Sequence, residues 1–261
     1  MNTSGVIQLN KTSQVILIGL VVGGIIWFKM SSRGSGSSTM EVGGASVAKV
    51  TDVVVKEVKD LKVDVNGEAV IVAYRETSVD KPKMDILFLH GQAFKSLTWV
   101  SEPMWTLQHF GKLGYRTVAI DLPGFGDSPR ATPDPAAFLE AVIRELKLNA
   151  PVIVSPSMSG SYSLPYLFKD TKHVLSRCRG YIPVAPVYTE NYTAKQYASL
   201  QVPALVIYGE KDVTIGKVSL NNFKNLPKKT IVELEGARHP CYLDRPDEFH
   251  SHMEAFLEKI R

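Results

Sequence analysis

Ser157 lies in Val152-Ile153-Val154-Ser155-Pro156-Ser157-Met158-Ser159-Gly160, an apolar run of strand length that breaks into a string of small residues. A serine at such a break can be a nucleophile. In the G-x-S-x-G elbow a strained turn lifts the hydroxyl clear of the sheet, and its neighbours must be small because strand and helix backbones nearly touch there. Here both glycines are replaced, by Ser155 and Ser159, which meet the size requirement but lack glycine's freedom in φ. A serine hydroxyl is a poor nucleophile near neutral pH. An imidazole must take its proton, and a carboxylate must hold the imidazole tautomer and stabilise the imidazolium. Asp212 follows the apolar run 204–208 through Gly209-Glu210-Lys211, and His239 follows 230–234 through Glu235-Gly236-Ala237-Arg238. Acyl transfer through a covalent serine intermediate is the chemistry these three residues could perform.

Each choice has rivals. Glu210 and Asp244 compete with Asp212, which is preferred because it sits about four residues past a strand end, within reach of the neighbouring loop. His90 precedes a candidate oxyanion loop, and His109, His173, His250 and His252 fall on helices or connectors. Asp121, in a Pro/Gly-rich segment, reads as a carboxylate capping a turn. Charge developing on the substrate oxygen calls for two backbone N–H groups: that of Met158, and one after Leu89-His90-Gly91, for which Gln92 is chosen. Arg238 is expected to point to solvent, since a guanidinium facing inward disfavours imidazolium. Dehalogenase and epoxide hydrolase chemistry need a carboxylate at the elbow and are disfavoured.

Positioning these residues requires an alternating fold. Segments 61–65 and 69–75 flank Asn66-Gly67, a strong hairpin signal, so the sheet opens antiparallel. Strand-like runs then occur at 86–89, 117–120, 152–154, 181–184, 204–208 and 230–234, with helical spacing over 103–113, 135–146 and 247–260. Strand and helix taking turns predict a mostly parallel, doubly wound α/β sheet covered on both faces, whose function gathers at the carboxyl ends of strands. About 20 residues separate Val184 from Ala204, too few for a helical cap domain. An open, shallow site should follow, suited to small acyl groups or to groups displayed on a larger partner.

Composition excludes other classes. The net charge of +4 is spread along the chain, without the basic block that nucleic-acid binding needs. The two cysteines, Cys178 and Cys241, suggest neither a disulfide framework nor a zinc site. Residues 15–28 (VILIGLVVGGIIWF) are uncharged and, with neighbours, make a segment of about 18 residues, roughly 27 Å as a helix. This reads as an uncleaved transmembrane anchor. The competing reading, a cleaved signal peptide with Lys11 in its n-region, lacks an A-x-A-like site. The expected organisation is a tail and anchor over 1–30, a flexible Gly/Ser tether over 31–46 and a catalytic domain over 47–261. Lys29 and Arg33 lean toward a cytosolic carboxyl-terminal domain.

The order serine, acid, histidine is that of the α/β-hydrolase triad. The chain resembles that superfamily and, within it, the alpha/beta hydrolase domain-containing protein 14 family. The matching motifs are 154–160 with Tyr162-Ser163-Leu164-Pro165, Ile182-Pro183-Val184-Ala185-Pro186, 203–209, and His239-Pro240-Cys241-Tyr242-Leu243-Asp244, within 61–260. The resemblance implies Ser157, Asp212 and His239 as the triad. The amino-terminal segment resembles that of the membrane-bound branch, which implies a single-pass type II signal-anchor, against the charge reading. Sequons at Asn2, Asn10 and Asn191 would carry glycans only if lumenal. Three functions compete: a membrane-anchored serine hydrolase cleaving an ester, thioester or amide, on a small acyl substrate or an acylated protein and without a cofactor; an acyltransferase passing the acyl group to coenzyme A, implied by the resemblance though no phosphate-binding loop supports it; and a non-catalytic scaffold, against which the intact Ser, Asp and His speak.

Overall fold

Asn66 and Gly67 take φ of 56° and 88°, the pair of positive values that a two-residue type I′ turn demands. Asp64 Oδ1 accepts the Gly67 N–H at 3.0 Å and closes the turn. It joins β1 (Val55–Val65) to β2 (Glu68–Thr77) in an antiparallel hairpin, longer than expected because β1 continues across an irregularity between Val58 and Leu61. The computed structural model describes residues 53–261, which belong to one compact unit. The expected tail and anchor (1–30) and tether (31–46) lie outside the described residues.

Six parallel strands follow the hairpin: β3 (Asp85–Phe88), β4 (Arg116–Ile120), β5 (Val152–Pro156), β6 (Gly180–Val184), β7 (Ala204–Gly209) and β8 (Lys229–Leu234). The sheet order is β1-β2-β4-β3-β5-β6-β7-β8; β2 runs antiparallel to both β1 and β4, and every other neighbouring pair is parallel. The expected fold class, a mostly parallel doubly wound sheet with an antiparallel opening, is the one observed.

The helices are α1 (Thr106–Lys112), α2 (Pro135–Glu145), α3 (Gly160–Phe168), α4 (Val174–Arg177), α5 (Ala194–Ser199), α6 (Ile215–Phe223), α7 (Cys241–Asp244) and α8 (Pro246–Ile260). Alternate strand residues point to opposite faces. Ile86, Phe88, Val152, Val154, Leu205 and Ile207 face a core closed by Leu107 and Phe110 of α1 and by Phe249, Met253 and Leu257 of α8. Leu87, Ile153 and Val206 face the other core, closed by Phe138 and Val142 of α2, Leu164 of α3 and Phe223 of α6. Each such fully buried side chain contributes about 1.5–3 kcal/mol of transfer free energy. α1 begins at Thr106 rather than 103 because Trp105, at φ 44°, is left-handed. α2 begins as expected: Pro135 occupies its first turn and the Asp134 carboxylate accepts the Ala137 N–H at 2.8 Å.

Between β6 and β7 the chain holds only a 3-10 turn, Thr189–Asn191, and the six-residue α5, so among the described residues no helical cap domain is inserted there. The expectation of a single-pass membrane protein is corrected. Among the described residues no helix is long and apolar enough to cross a membrane. The longest, α8, has 15 residues, short of the ~20 a span requires, and carries charged groups along its length. The run 15–28 that prompted the expectation lies outside the described residues.

Candidate active site

Ser157 follows β5 directly and takes φ 50°, a left-handed conformation that is strained for a residue with a Cβ. The 3-10 turn Ser157–Ser159 then leads into α3. The two serines in the glycine positions need none of glycine's freedom. Ser155 is extended within β5 and Ser159 has φ −66°, so the positive φ falls only on the residue between them. The Val187 N–H donates to Ser157 O at 3.0 Å and ties the turn to the loop after β6.

The strand order brings the ends of β5, β7 and β8 to one edge of the sheet, and with them three side chains. His239 Nε2 lies 2.8 Å from Ser157 Oγ, across 82 positions of sequence, and His239 Nδ1 lies 2.5 Å from Asp212 Oδ2. A carboxylate only accepts, so Nδ1 carries the proton and Nε2 is left to accept from the serine hydroxyl. Asp212 is 4% exposed. Burial works to raise its carboxyl pKa but is outweighed by the hydrogen bond and charge of His239, the Gly216 amide and the Thr214 hydroxyl, which together hold it below its ordinary value.

The rival acids are occupied elsewhere. Asp244 takes the Arg238 guanidinium in a fork, Nη2 to Oδ1 at 2.5 Å and Nε to Oδ2 at 3.1 Å, and also accepts the Arg238 N–H at 2.7 Å. Arg238 therefore lies out in solvent, 73% exposed. Glu210 is exposed and accepts the Gly236 N–H at 2.7 Å. Asp121 is structural, accepting the N–H groups of Ser96 at 2.6 Å and Asp127 at 2.9 Å.

The two candidate oxyanion donors flank the serine. Met158 follows it in the turn, and a Cβ built on Gly91 would sit 3.5 Å from Ser157 Cβ, which brings the backbone leading to Gln92 against Ser157. His90 holds that strap. The Leu122 N–H donates to its Nε2 at 3.0 Å, so its Nδ1 carries the proton and donates to Gly91 O at 2.8 Å. Burial pushes the His90 pKa down, against the Gly91 carbonyl and Asp121, and keeps the ring neutral. Trp99 Nε1 donates to Leu89 O at 2.8 Å, and its ring stacks on Tyr242 of α7 at 4.9 Å, which packs the strap against the corner after His239. In the sequence His90 reads as no base, Trp99 carries no signal, and Tyr242 stands only as one residue of the motif 239–244. No local pattern marks their packing roles, because their partners come from distant parts of the chain.

His109, on α1, and His250, on α8, stack on each other at 4.6 Å, and no hydrogen bond joins either to Ser157 or Asp212. Among the described residues no group of three His, Cys, Asp or Glu could hold a metal ion, and Cys178 and Cys241 are buried free thiols. Asn191 is exposed, but Thr193 of its sequon is engaged in the capping box of α5. Asn2 and Asn10 lie outside the described residues. An open groove of about 360 Å³ runs between 186–190 and 213–221 and includes Val187, Tyr188, Val213, Ile215 and Val218. Its walls include Val187, whose N–H donates to Ser157 O, and Val213, the residue after Asp212. A larger cavity of about 670 Å³, lined by Arg179, Pro203 and Lys229 among others, lies at the opposite, amino-terminal ends of β6, β7 and β8.

A family model described as "Alpha/beta hydrolase family" matches residues 86–188, a span that includes Ser157 but stops before Asp212 and His239. The crystal structure of a "predicted CIB-like hydrolase" from Thermoplasma acidophilum matches with a TM-score of 0.69 at 24% identity, covering 79% of this chain and 99% of that one, which speaks for the fold. Mouse "Protein ABHD14A" is 44% identical over 183 residues, 68% of this chain and 72% of that protein. Human "Putative protein-lysine deacylase ABHD14B" is 38% identical over 212 residues, 78% of this chain and 98% of that protein. On these relatives and on its fold, the chain belongs to the alpha/beta hydrolase domain-containing protein 14 family and is a hydrolase of the α/β-hydrolase type.

Proposed function

We propose that this hydrolase removes acyl groups through an acyl-enzyme on Ser157, with His239 as general base and acid and Asp212 as its orienting carboxylate. The observation that carries the reading is the unbroken line of contacts from Asp212 Oδ2 through both nitrogens of His239 to Ser157 Oγ. The bond cleaved is an amide, ester or thioester. An acylated lysine of a protein is the first choice, supported by the name of the human relative and by the short β6–β7 connection, which among the described residues puts no cap over the strand ends and leaves room for a group displayed on a large partner.

In the first half-reaction Ser157 Oγ attacks the acyl carbon while its proton passes to His239 Nε2. The Asp212 carboxylate, held in its ionised form, balances the imidazolium. The N–H groups of Gln92 and Met158 receive the negative charge on the acyl oxygen; each such donor typically contributes about 10²–10³ in rate. Collapse of the tetrahedral intermediate breaks the bond to the leaving group, which departs with the proton from His239. A water molecule then attacks the acyl-serine, giving its proton to His239, and a second collapse returns the proton to Ser157 and releases the carboxylic acid. The groove beside the site, with exposed Tyr188, Val213 and Val218, suits an apolar part of the substrate.

A fluorophosphonate probe should label Ser157 in the intact chain and not in Ser157→Ala, and an acylated-lysine peptide should yield free lysine and the carboxylic acid only with the former. Labelling that survives Ser157→Ala would sink the assignment. Absence of both labelling and turnover leaves the scaffold reading, and formation of an acyl-thioester when coenzyme A is added replaces water by a thiol as acceptor.

A further inference from the structure

The serines that stand where the standard elbow has glycines belong to a buried line of four hydroxyls that ends on the nucleophile's own peptide. Ser159 Oγ donates to Pro156 O at 2.8 Å; Ser155 Oγ lies 3.1 Å from Ser159 Oγ and 2.7 Å from Ser163 Oγ; Ser163 Oγ lies 2.9 Å from Tyr181 OH. All four residues are fully withdrawn from water. The direction of the line follows from valence. A carbonyl can only accept, so the single proton of Ser159 is committed to Pro156. The contact between Ser155 and Ser159 must then use the proton of Ser155, that between Ser163 and Ser155 the proton of Ser163, and the last the phenolic proton of Tyr181. Every proton is used once, all in one sense, toward Pro156 O. Burial pushes the Tyr181 phenol well above its ordinary pKa, so the line keeps its first proton. Aligned hydroxyls polarise one another and strengthen the bond at the end of the row.

That end bond acts on the residue that matters. The Pro156 carbonyl belongs to the peptide that enters Ser157, so fixing its oxygen fixes the plane from which the strained φ of 50° is measured. The Ser157 carbonyl, in the peptide that leaves, is fixed by the Val187 N–H at 3.0 Å. Both planes flanking the left-handed residue are clamped. We propose, resting on the assignment of Ser157 as nucleophile, that Ser159 is a positioning residue that holds the elbow in its reactive conformation. Ser155, Ser163 and Tyr181 lock its hydroxyl toward Pro156 O. The chain thus holds its elbow with hydrogen bonds, where the standard motif has two glycines.

The test measures the rate of fluorophosphonate labelling at Ser157, and kcat and KM for p-nitrophenyl acetate, on the full chain and on four variants along the line. Ser159→Ala, which removes the donor to Pro156, should slow labelling and kcat by about tenfold with KM within about twofold, the scale of one hydrogen bond lost. Ser155→Ala should cost about threefold, and Ser163→Ala and Tyr181→Phe less than about twofold. The distinguishing readout is this gradient with distance from Pro156, set against melting temperatures that need not follow it. Rates that track melting temperature rather than position, or a Ser159→Ala rate within twofold of the unmodified chain, overturn the proposal. Should Ser159→Ala fail to fold, Ser155→Ala carries the test, and an unchanged rate there overturns it. Probe on a residue other than Ser157 removes the functional reading beneath; probe on Ser157 at rates indifferent to the line removes this inference alone.

Discussion

Ser157 is held from inside the fold, whereas His239, beyond its bond to the buried Asp212, is held by loops at the surface. Around Ser157 lie a strained φ, fully buried hydroxyls and a strap pinned by a neutral, buried His90. The loop of His239 is held by main-chain bonds, Glu210 N–H to Leu234 O at 3.0 Å and Lys211 N–H to Ala237 O at 2.9 Å, and by the exposed Arg238–Asp244 fork. The difference has a chemical logic. On the proposed assignment Ser157 must meet the acyl carbon at a single geometry, so looseness there is costly. On the same assignment the imidazole must serve the serine oxygen and then the leaving group, so its mounting has to permit a small swing.

The largest expected effects test whether the two halves act as one device. Ser157→Ala should lower kcat by about 10⁶ and Asp212→Asn by about 10⁴, read by steady-state turnover of p-nitrophenyl acetate. Equal losses would mean that Asp212 does more than orient the imidazole. Next is a wedge driven into the histidine half alone. A Cβ at Gly209 would lie 2.2 Å from Arg238 O and 2.5 Å from Ala237 O, both backbone atoms, so Gly209→Ala must push the His239 loop away. A displacement near 1 Å should cost about 10² in kcat, and an unchanged rate would show this half to be more compliant than the contrast allows.

Acid should weaken the packing of α8 on α1, away from both halves. His250, on α8 beside Phe249 and stacked on His109, has its pKa pushed down to about 3 by burial and by His109. Its folded value lies below its unfolded value of about 6.5, so the unfolded chain takes up the proton first. Stability is complete above about pH 6.5 and falls as pH drops from there toward about 3, by up to about 1.4 kcal/mol per pH unit. Urea unfolding at stepped pH should show this slope, and His250→Gln should flatten it. The smallest effect expected is that of Asp244→Asn. The exposed Arg238 pair contributes about 0–1 kcal/mol, so kcat should change by no more than about threefold; a larger loss would make the fork part of the imidazole's support.

Much of the candidate site was readable in the chain because its parts follow local rules. The small-residue break after 152–154 marked Ser157, and the Asn66-Gly67 signal marked the hairpin, since turn geometry depends on a few adjacent residues. The worry that Ser155 and Ser159 lack glycine's freedom was misplaced, and only the observed dihedrals relocated the strain to Ser157 itself. The extra length of β1 was invisible because an irregularity interrupts the alternation on which strand reading depends. The apolar run 15–28 satisfied a length rule, but the membrane location inferred from it finds no spanning helix among the described residues.

From its residues alone, this chain declared an alternating α/β architecture, a candidate nucleophile and three candidate residues in the order serine, acid, histidine, because hydrophobic period and turn chemistry are written over a few neighbouring positions. Which carboxylate faces His239, why His90 is neutral, and how four hydroxyls line up on Pro156 were decided only when β5, β6, β7 and β8 were laid side by side. Those choices rest on contacts of 2.5–3.1 Å between groups as far as 82 positions apart. Strand pairing fixes such distances, and sequence spacing does not.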